Sequence, residues 1–305
     1  MAPRPLDPAD PDMHTKAMCL TSVYHKTPYP ALSSAQPIAK GKYVLITGAS
    51  QGLGYHMAKA WAKGGAAGIA ICARTSARLE PVVAEIKSIN PDTETLAMAC
   101  DTTKPSQVEA LFTVTKEKFG KLDVVIANVG AGSRGLNVGE ADPEQWWNDM
   151  ATNLRSAHLT SHYFIATFGP APIGTLITLT SGAAGIVPPG LSSYGIAKQA
   201  CIRLAEFLDA EHPTLRVFAL DPGIVRTVAM MPSFVLYAVI EPELVGQFSV
   251  WLASEKSEGL RGGFANVAWD VEELEEYGEL IRKTGLVKSK FLAGVTGQEG
   301  GAFKK

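Results

Sequence analysis

Short apolar runs alternate along the chain with segments whose apolar residues recur at helical spacing. The runs are YVLIT, GIAICAR, TLAMACD, VVIAN, GTLITLTS and RVFALDPG. They are apolar throughout rather than at every second position, which is typical of strands buried on both faces of a sheet. The helical segments cover Tyr55–Lys63, Ala77–Ile89, Pro105–Phe119, Pro143–Phe168 and Ser193–Ala210. This alternation predicts an α/β fold with one doubly wound, mostly parallel sheet.

The chain changes character near residue 40. The preceding part has no periodic apolar pattern and is rich in proline, at Pro3, Pro5, Pro8, Pro11, Pro28, Pro30 and Pro37. We predict an N-terminal extension over residues 1–40 that either packs on the surface or stays mobile. A single Rossmann-type domain is expected over residues 41–285, followed by a C-terminal tail over residues 286–305.

Composition and charge exclude several classes of partner. Hydrophobic residues make up 46% of the chain and charged residues 19%, which is the balance of a protein with a sizeable core. The formal net charge of −2 gives no reason to expect nucleic acid or an anionic membrane surface. Every apolar run is much shorter than the ~20 residues of a membrane span, and the N-terminus lacks the pattern of a secretory signal.

The cysteines and histidines predict no metal centre. The four cysteines, Cys19, Cys72, Cys100 and Cys201, show no CxxC spacing, and most fall in predicted strands or helices. We interpret them as buried, inert thiols in a reducing compartment, which favours a cytoplasmic location. His158 and His162 are four residues apart, but no nearby carboxylate completes a zinc site.

A glycine-rich turn follows the first predicted strand, in the stretch TGASQGLG. Gly48, Gly52 and Gly54 stand where the strand passes into a helix. Such a turn can bind a pyrophosphate through backbone N–H groups at the helix N-terminus, with glycine permitting close approach. Tight strand-to-helix turns use glycine for steric reasons alone, but the position after the first strand of an alternating pattern favours the binding role.

Tyr194 and Lys198 lie four residues apart in the stretch GLSSYGIAKQA and share one face of a predicted helix. The pair could be an ordinary contact on the helix surface. It could also place an ammonium group beside a phenol, where the positive charge stabilises the phenolate and lets the tyrosine exchange a proton.

The chain resembles the short-chain dehydrogenase/reductase family in an ordered set of motifs over roughly residues 41–270. The motifs are TGASQGLG, Asp101 after the third strand, Asn128 and Gly130 after the fourth, Asn153 in the next helix, Ser181 after the fifth, Tyr194 and Lys198 as YxxxK, and PGIVRT after the sixth. Ser181 precedes Tyr194 by thirteen residues, and this spacing selects it over the neighbouring hydroxyl of Thr180.

The resemblance implies a role for each matching residue. Tyr194 is the proton donor or acceptor, Lys198 also binds the nicotinamide ribose, Ser181 hydrogen-bonds the substrate oxygen, and Asn153 holds a water that relays protons to Lys198. The implied cofactor-binding residues are Gly48, Ser50, Gln51, Gly52, Leu53, Gly54, Arg74, Asp101, Asn128, Gly130, Tyr194, Lys198, Pro222, Gly223, Val225 and Thr227.

The residues after the second strand indicate which nicotinamide is used. An acidic residue there would bind the ribose hydroxyls, whereas arginine accommodates a 2′-phosphate. The chain has Arg74 and no Asp or Glu at this point, which favours NADP(H). Gln51 stands where NADP-preferring relatives sometimes carry a second basic residue.

Three further features of the sequence bear on the substrate, the branch of the family and the assembly. The apolar segment Met230–Ile240 lies where the family has variable substrate-binding helices. Its composition suits either the binding of a lipophilic, secondary-metabolite-like ketone or alcohol, or simple packing against the core. The C-terminal stretch lacks the glycine-ending strand common in the family, and together with the proline-rich extension it resembles a fungal branch. The family commonly forms homodimers or homotetramers, for which Trp146, Trp147 and Met150 suit an interface or a core.

Three functions are compatible with these motifs. The first is an NADP(H)-dependent oxidoreductase acting on a small-molecule ketone or secondary alcohol. The second is a cyclase, isomerase or dehydratase on the same fold without net redox, and the third is a non-catalytic NADP-binding protein. The complete set of Ser181, Tyr194, Lys198 and Asn153 favours the first.

Overall fold

The fold is a single parallel sheet with helices on both faces. The computed structural model describes residues 7–132, 135–169, 173–226 and 232–289. The strands are β1 (Tyr43–Thr47), β2 (Gly68–Ala73), β3 (Glu94–Ala99), β4 (Val124–Ala127), β5 (Gly174–Leu179), β6 (Leu215–Asp221) and β7 (Gly263–Asn266). Their order is β3-β2-β1-β4-β5-β6-β7, and every neighbouring pair is parallel. The predicted fold class is therefore confirmed.

The helices connect these strands and cover the sheet. They are α1 (Met13–Ala17), α2 (Pro30–Ser34), α3 (Gly52–Lys63), α4 (Glu80–Ile89), α5 (Pro105–Phe119), α6 (Pro143–Met150), α7 (Ser156–Phe168), α8 (Ser192–Glu211), α9 (Pro242–Trp251), α10 (Val271–Glu276) and α11 (Gly278–Thr284). One buried cluster lies on each face of the sheet, around Trp61 and Phe248 on one side and Phe112 and Phe164 on the other. No helix in the described ranges is both long and apolar enough to cross a membrane.

The strand order creates a crevice between β1 and β4. The chain builds outward from β1 to β3 on one side, then returns to place β4 on the other side of β1. The loops after β1 and β4 consequently leave the sheet in opposite directions at its carboxyl end. In such sheets this switch point is where ligands bind.

The structure contains one strand more than the six that the apolar runs predict. Gly263–Asn266 forms β7, which pairs in register with β6 from Phe218↔Gly263 to Asp221↔Asn266. The sequence pattern does not indicate this strand, because its four residues, GFAN, include glycine and asparagine and form no apolar run. Its position is determined by pairing with β6 and by burial rather than by local propensity.

The long helix predicted over Pro143–Phe168 is interrupted. α6 and α7 are separated by one widened π turn, Ala151–Arg155, which contains Asn153. Such turns insert an extra residue into a helix and are frequent at functional sites. The remaining predicted helices end within three residues of the observed ones.

Candidate active site

The glycine-rich turn between β1 and α3 forms a cradle lined by backbone at its three glycines. Gly48 and Gly52 adopt left-handed conformations, with φ of 66° and 58°. A methyl group at Gly54 would lie 2.6 Å from the carbonyl oxygen of Gly48. Gln51 precedes α3 in an extended conformation and makes no side-chain cap, so the helix offers its first N–H groups to a ligand. A pyrophosphate fits this arrangement.

Asn128 fastens this cradle to the end of β4. Its amide Nδ2 donates to the carbonyl oxygens of Thr47 at 2.8 Å and Gly48 at 3.2 Å, and its backbone N–H donates to Oγ1 of Thr47 at 3.0 Å. The side chain therefore holds the two loops of the crevice together, and its contact to a cofactor stays a prediction.

Lys198 is turned into the protein rather than toward solvent. It is only 3% exposed, and its Nζ donates to the carbonyl oxygen of Leu179 at 2.9 Å. The Nζ lies 5.7 Å from the centre of the Tyr194 ring. The pair on α8 is thus a buried ammonium beside a half-buried phenol, not a solvent-facing contact.

Asn153 and Gly130 complete the surroundings of this ammonium. Asn153 is buried, accepts from the N–H of Ala131 at 3.2 Å, and donates to the carbonyl oxygens of Ala131 and Asp149, both at 2.9 Å. A methyl group on Gly130 would lie 2.9 Å from Oδ1 of Asn153 and 3.0 Å from Nζ of Lys198. The loop after β4 therefore passes close to both groups, and glycine permits that approach.

Two neighbouring hydroxyls after β5 have different environments. Thr180 is buried, and its Oγ1 donates to the backbone carbonyl of Lys198 at 2.8 Å. Ser181 is half-buried and its Oγ accepts from the N–H of Ala183 at 3.2 Å. Within the described residues, no acceptor takes the Ser181 hydrogen. Ser181 can therefore donate to a substrate oxygen, whereas Thr180 is already used to hold α8.

Arg74, the predicted nucleotide-selecting residue, and Asp101, a predicted cofactor contact, lie at the ends of β2 and β3. Arg74 is exposed, and no ion pair or hydrogen bond to its guanidinium is found in the described chain. Asp101 accepts from the backbone and side chain of Thr103, at 3.0 and 2.7 Å. Partial burial raises the pKa of Asp101, but the Thr103 bonds and the charges of Lys104 and Arg74 outweigh it and leave the pKa below its ordinary value.

The loop after β6 holds the remaining predicted contacts. Gly223 is left-handed, with φ of 66°, and Val225 pairs with Ile240. Pro222 is half-buried beside them. Thr227 lies outside the described residues, as does part of the apolar segment Met230–Ile240; its following part forms a 3₁₀ helix at Pro232–Tyr237.

Sequence reasoning missed Asp221, which ties three loops together at the carboxyl end of the sheet. The side chain is 2% exposed and accepts from the N–H of Gly223 at 3.0 Å and from Nδ2 of Asn266 at 2.7 Å. Burial raises its pKa to about 6, against the opposing effects of these bonds, of the Gly182 N–H and of the Lys198 charge. The sequence feature that could have indicated this residue is an acidic side chain at the end of an apolar strand, in the stretch LDPG.

Metal binding has no support in the described structure. Within residues 7–132, 135–169, 173–226 and 232–289, no three His, Cys, Asp or Glu side chains come together as a metal site. His158 and His162 stack with ring centres 6.2 Å apart on α7.

Comparison with known proteins connects this geometry to a family. The model of the family described as short chain dehydrogenase matches residues 42–235. The short chain dehydrogenase pigC of Monascus ruber is 33% identical over 284 residues, covering 90% of this chain and 94% of the relative. The short chain dehydrogenase tazN of Aspergillus terreus is 34% identical over 285 residues, covering 89% of this chain and 62% of that longer protein. These fungal relatives confirm the expected resemblance to a fungal branch.

Solved structures agree with the sequence comparison. The 3-ketoacyl-(acyl-carrier-protein) reductase of Brucella melitensis, solved in complex with NADH, is 28% identical with a TM-score of 0.66, over 75% of this chain and 97% of that one. A short chain dehydrogenase from Mycobacterium smegmatis is 26% identical with a TM-score of 0.68, over 76% of this chain and 93% of that one. The chain, with its parallel sheet, glycine cradle and buried Lys198 beside Tyr194, belongs to the short-chain dehydrogenase/reductase family, whose members bind a nicotinamide cofactor.

Proposed function

We propose that this protein is an NADP(H)-dependent oxidoreductase that interconverts a lipophilic ketone and the corresponding secondary alcohol, with Tyr194 as the proton donor and acceptor. The observation that carries the proposal is the burial of the Lys198 ammonium 5.7 Å from the Tyr194 ring. Burying a charged group costs free energy unless an opposite charge or hydrogen bonds compensate for it. A tyrosine that becomes a phenolate during the reaction would supply an opposite charge next to the ammonium.

Each residue of the site has a distinct part in the reaction. A bound nicotinamide cofactor supplies or accepts the hydride at the carbonyl carbon. Tyr194 gives its proton to the carbonyl oxygen as negative charge develops there, and Lys198 stabilises the phenolate that remains. Ser181 donates a hydrogen bond to the same oxygen. Asn153 holds the loop after β4 against Lys198, beside the water that would return the proton.

The proposed preference for NADP(H) is supported by Arg74. Its guanidinium is exposed at the end of β2 and is free of ion pairs in the described chain. A planar guanidinium binds a phosphate through two parallel hydrogen bonds, and the residues that directly follow β2, 74–79, include no Asp or Glu for the alternative role of binding ribose hydroxyls.

The test of the function uses NADPH and a panel of lipophilic ketones, followed by the loss of nicotinamide absorbance. Tyr194→Phe should abolish turnover while NADPH binding, measured by fluorescence titration, stays unchanged. Tyr163→Phe is the matched control, because Tyr163 lies on α7 outside the residues that surround Lys198. Turnover retained by Tyr194→Phe would contradict the role of the phenol. Product formed without net consumption of NADPH would instead support the cyclase, isomerase or dehydratase alternative.

We further propose a homodimer or homotetramer located in the cytoplasm. Trp147 on α6 and Ile196 and Phe207 on α8 are exposed, and such apolar side chains on neighbouring helices favour an interface between copies. The free, buried thiols of Cys72, Cys100 and Cys201 favour a reducing compartment. Sedimentation of the full chain tests the assembly, and a mass equal to one chain would contradict it.

A further inference from the structure

The N-terminal residues 7–29, called the arm below, pack across the carboxyl end of the sheet. One anchor lies on the segment after β7. The indole Nε1 of Trp269 donates to the carbonyl oxygen of Met18 at 2.8 Å, and the N–H of His25 donates to Ala268 at 2.8 Å. The carboxylate of Glu273 accepts from the backbone N–H and the hydroxyl of Ser22. The arm is therefore fixed to the region that follows the last strand.

A second anchor lies on the loop after β6. The ring of His14, on α1, meets the edge of the Tyr237 ring with centres 4.7 Å apart and lies 6.0 Å from the ring of Phe234. The Tyr237 hydroxyl donates to the carbonyl oxygen of Pro8 at 2.9 Å. Burial lowers the pKa of His14, which favours the neutral ring at this aromatic contact. The arm thus joins two loops that follow different strands.

Between the two anchors, Met18 reaches the catalytic loop. Gly182 directly follows Ser181, and a methyl group on Gly182 would overlap Sδ of Met18 and lie 3.1 Å from its Cε. The thioether therefore occupies the space where any larger residue at position 182 would place its side chain. Met18 itself is only half-buried, so part of its surface remains available beside Ser181.

The neighbouring loops carry exposed apolar side chains. Ile186 and Val187 follow β5 and are 46% and 99% exposed, and Val235 and Leu236 follow β6 and are 44% and 53% exposed. Apolar surface left open around a crevice is typical of a site for an apolar ligand. Met18 adds a polarisable thioether, which packs well against rings.

We propose that Met18 is a specificity-determining residue and that the arm forms the wall of the substrate pocket beside Ser181. The wall limits the bulk of the apolar ring that adjoins the reacting carbonyl. This inference rests on the proposed ketone reduction, because Ser181 marks the pocket only if it binds the substrate oxygen. The consequence is that a segment outside the region matched to the family, residues 42–235, selects the substrate.

The test compares Met18→Ala with the unaltered protein on cyclohexanone and the bulkier 1-tetralone, with saturating NADPH. Removing the thioether should raise the ratio of kcat/KM for 1-tetralone to that for cyclohexanone about tenfold, while the Kd for NADPH is unchanged. Met18→Leu should keep the original ratio. Val23→Ala is the matched control, since Val23 is on the same arm with a side chain 52% exposed. A ratio unchanged in Met18→Ala would overturn the proposal.

A second measurement separates this inference from the proposed reaction. In the Tyr194→Phe background, calorimetry gives the Kd of both ketones in the presence of NADP⁺, with and without Met18→Ala. A shift of the two Kd values relative to each other supports the pocket wall even if neither ketone is turned over. No binding of either ketone, or an equal change in both Kd values, overturns it.

The contact itself can be tested by thermal unfolding. Gly182→Ala should lower Tm because its methyl group collides with Met18, and adding Met18→Ala should restore part of the loss. Additive losses in the double variant would show that Met18 does not lie against Gly182, and would overturn the inference as well.

Discussion

The two sides of the crevice are built from contacts of very different range. The cofactor side consists of the glycine cradle, residues 48–54, and the loop after β4 that Asn128 fastens to it. The substrate side consists of Gly182, the 3₁₀ helix Pro232–Tyr237 and the arm. On the cofactor side the cradle is one local strand-to-helix turn, and Asn128 joins it to the loop after β4 across 81 residues of sequence. On the substrate side, by contrast, Trp269 and Met18 are joined across 251 residues of sequence.

This difference separates what lies inside the region matched to the family, residues 42–235, from what lies outside it. Backbone N–H groups and glycine turns bind a phosphate whatever the rest of the chain is. A pocket wall made by an arm requires segments outside the family match to fold back together. We therefore expect changes on the cofactor side to alter NADPH binding and changes on the substrate side to alter ketone selectivity, with Asp221 affecting both.

The largest expected effect comes from Asp221→Asn. The pKa of Asp221 is about 6 in the folded protein against an ordinary 3.8, because the carboxyl is buried. Between pH 4 and pH 6 the folded state therefore keeps a proton that the unfolded chain has lost, so the free energy of unfolding falls as the pH rises. The wild type should lose about 2–3 kcal/mol relative to Asp221→Asn between pH 4 and pH 7. Urea unfolding of both proteins measures this, and parallel pH profiles would contradict it.

Gly54→Ala tests the cofactor side alone. Its methyl group would meet the carbonyl oxygen of Gly48 at 2.6 Å and Nδ2 of Asn128 at 2.7 Å, so the cradle must open. We expect a loss of stability of about 2 kcal/mol and weaker NADPH binding by at least about tenfold. Gly139→Ala is the control, since no atom lies within 4 Å of a methyl group there. Equal NADPH affinity in the two variants would contradict the assignment of the glycine cradle to cofactor binding.

Arg74→Ala should change the choice of nucleotide and little else. Losing a charge-assisted bond to the 2′-phosphate should raise the Kd for NADPH about tenfold while the Kd for NADH stays the same. Fluorescence titration with both nucleotides measures the two values. Should both affinities fall together, Arg74 supports the fold of the loop rather than the phosphate.

The smallest expected effect is on the arm anchor. Trp269, which is 4% exposed, keeps an aromatic but smaller side chain in Trp269→Phe and loses the donor to the carbonyl oxygen of Met18. We expect a loss of about 1 kcal/mol in stability and faster hydrogen exchange at residues 18–25, without a change in the Kd for NADPH. Unchanged exchange in the arm would indicate that the remaining contacts hold it alone.

The catalytic loops show where local patterns stop being informative. The spacing from Tyr194 predicts that Ser181, and not Thr180, is the hydroxyl of the site. Spacing does not explain, however, why the Thr180 hydroxyl is not free to bind a ligand. The reason is a hydrogen bond from Thr180 to the backbone of Lys198. The π turn around Asn153 could not be predicted from the sequence either, because one extra residue in a helix hardly changes the spacing of its apolar residues.

Strand β7 and Asp221 were hidden for another reason. The four residues of β7 have weak strand propensity, and they become a strand because β6 offers an unpaired edge. From the sequence alone, Asp221 resembles an ordinary turn residue, because Pro222 and Gly223 follow it. Only the tertiary structure buries its carboxylate, and this burial raises its pKa, although the hydrogen bonds from Gly182 and Asn266 oppose the rise.

The sequence by itself determined the alternation of strands and helices, the glycine turn after β1 and the shared helix face of Tyr194 and Lys198. These are short-range properties, set by the period of a helix, the apolar content of a buried strand and the steric freedom of glycine. Only the tertiary structure decided that the Lys198 ammonium points inward, that Asp221 is buried and that Met18 of the arm lies against Gly182. Those features depend on contacts between residues far apart in the chain, for which no local period or propensity exists.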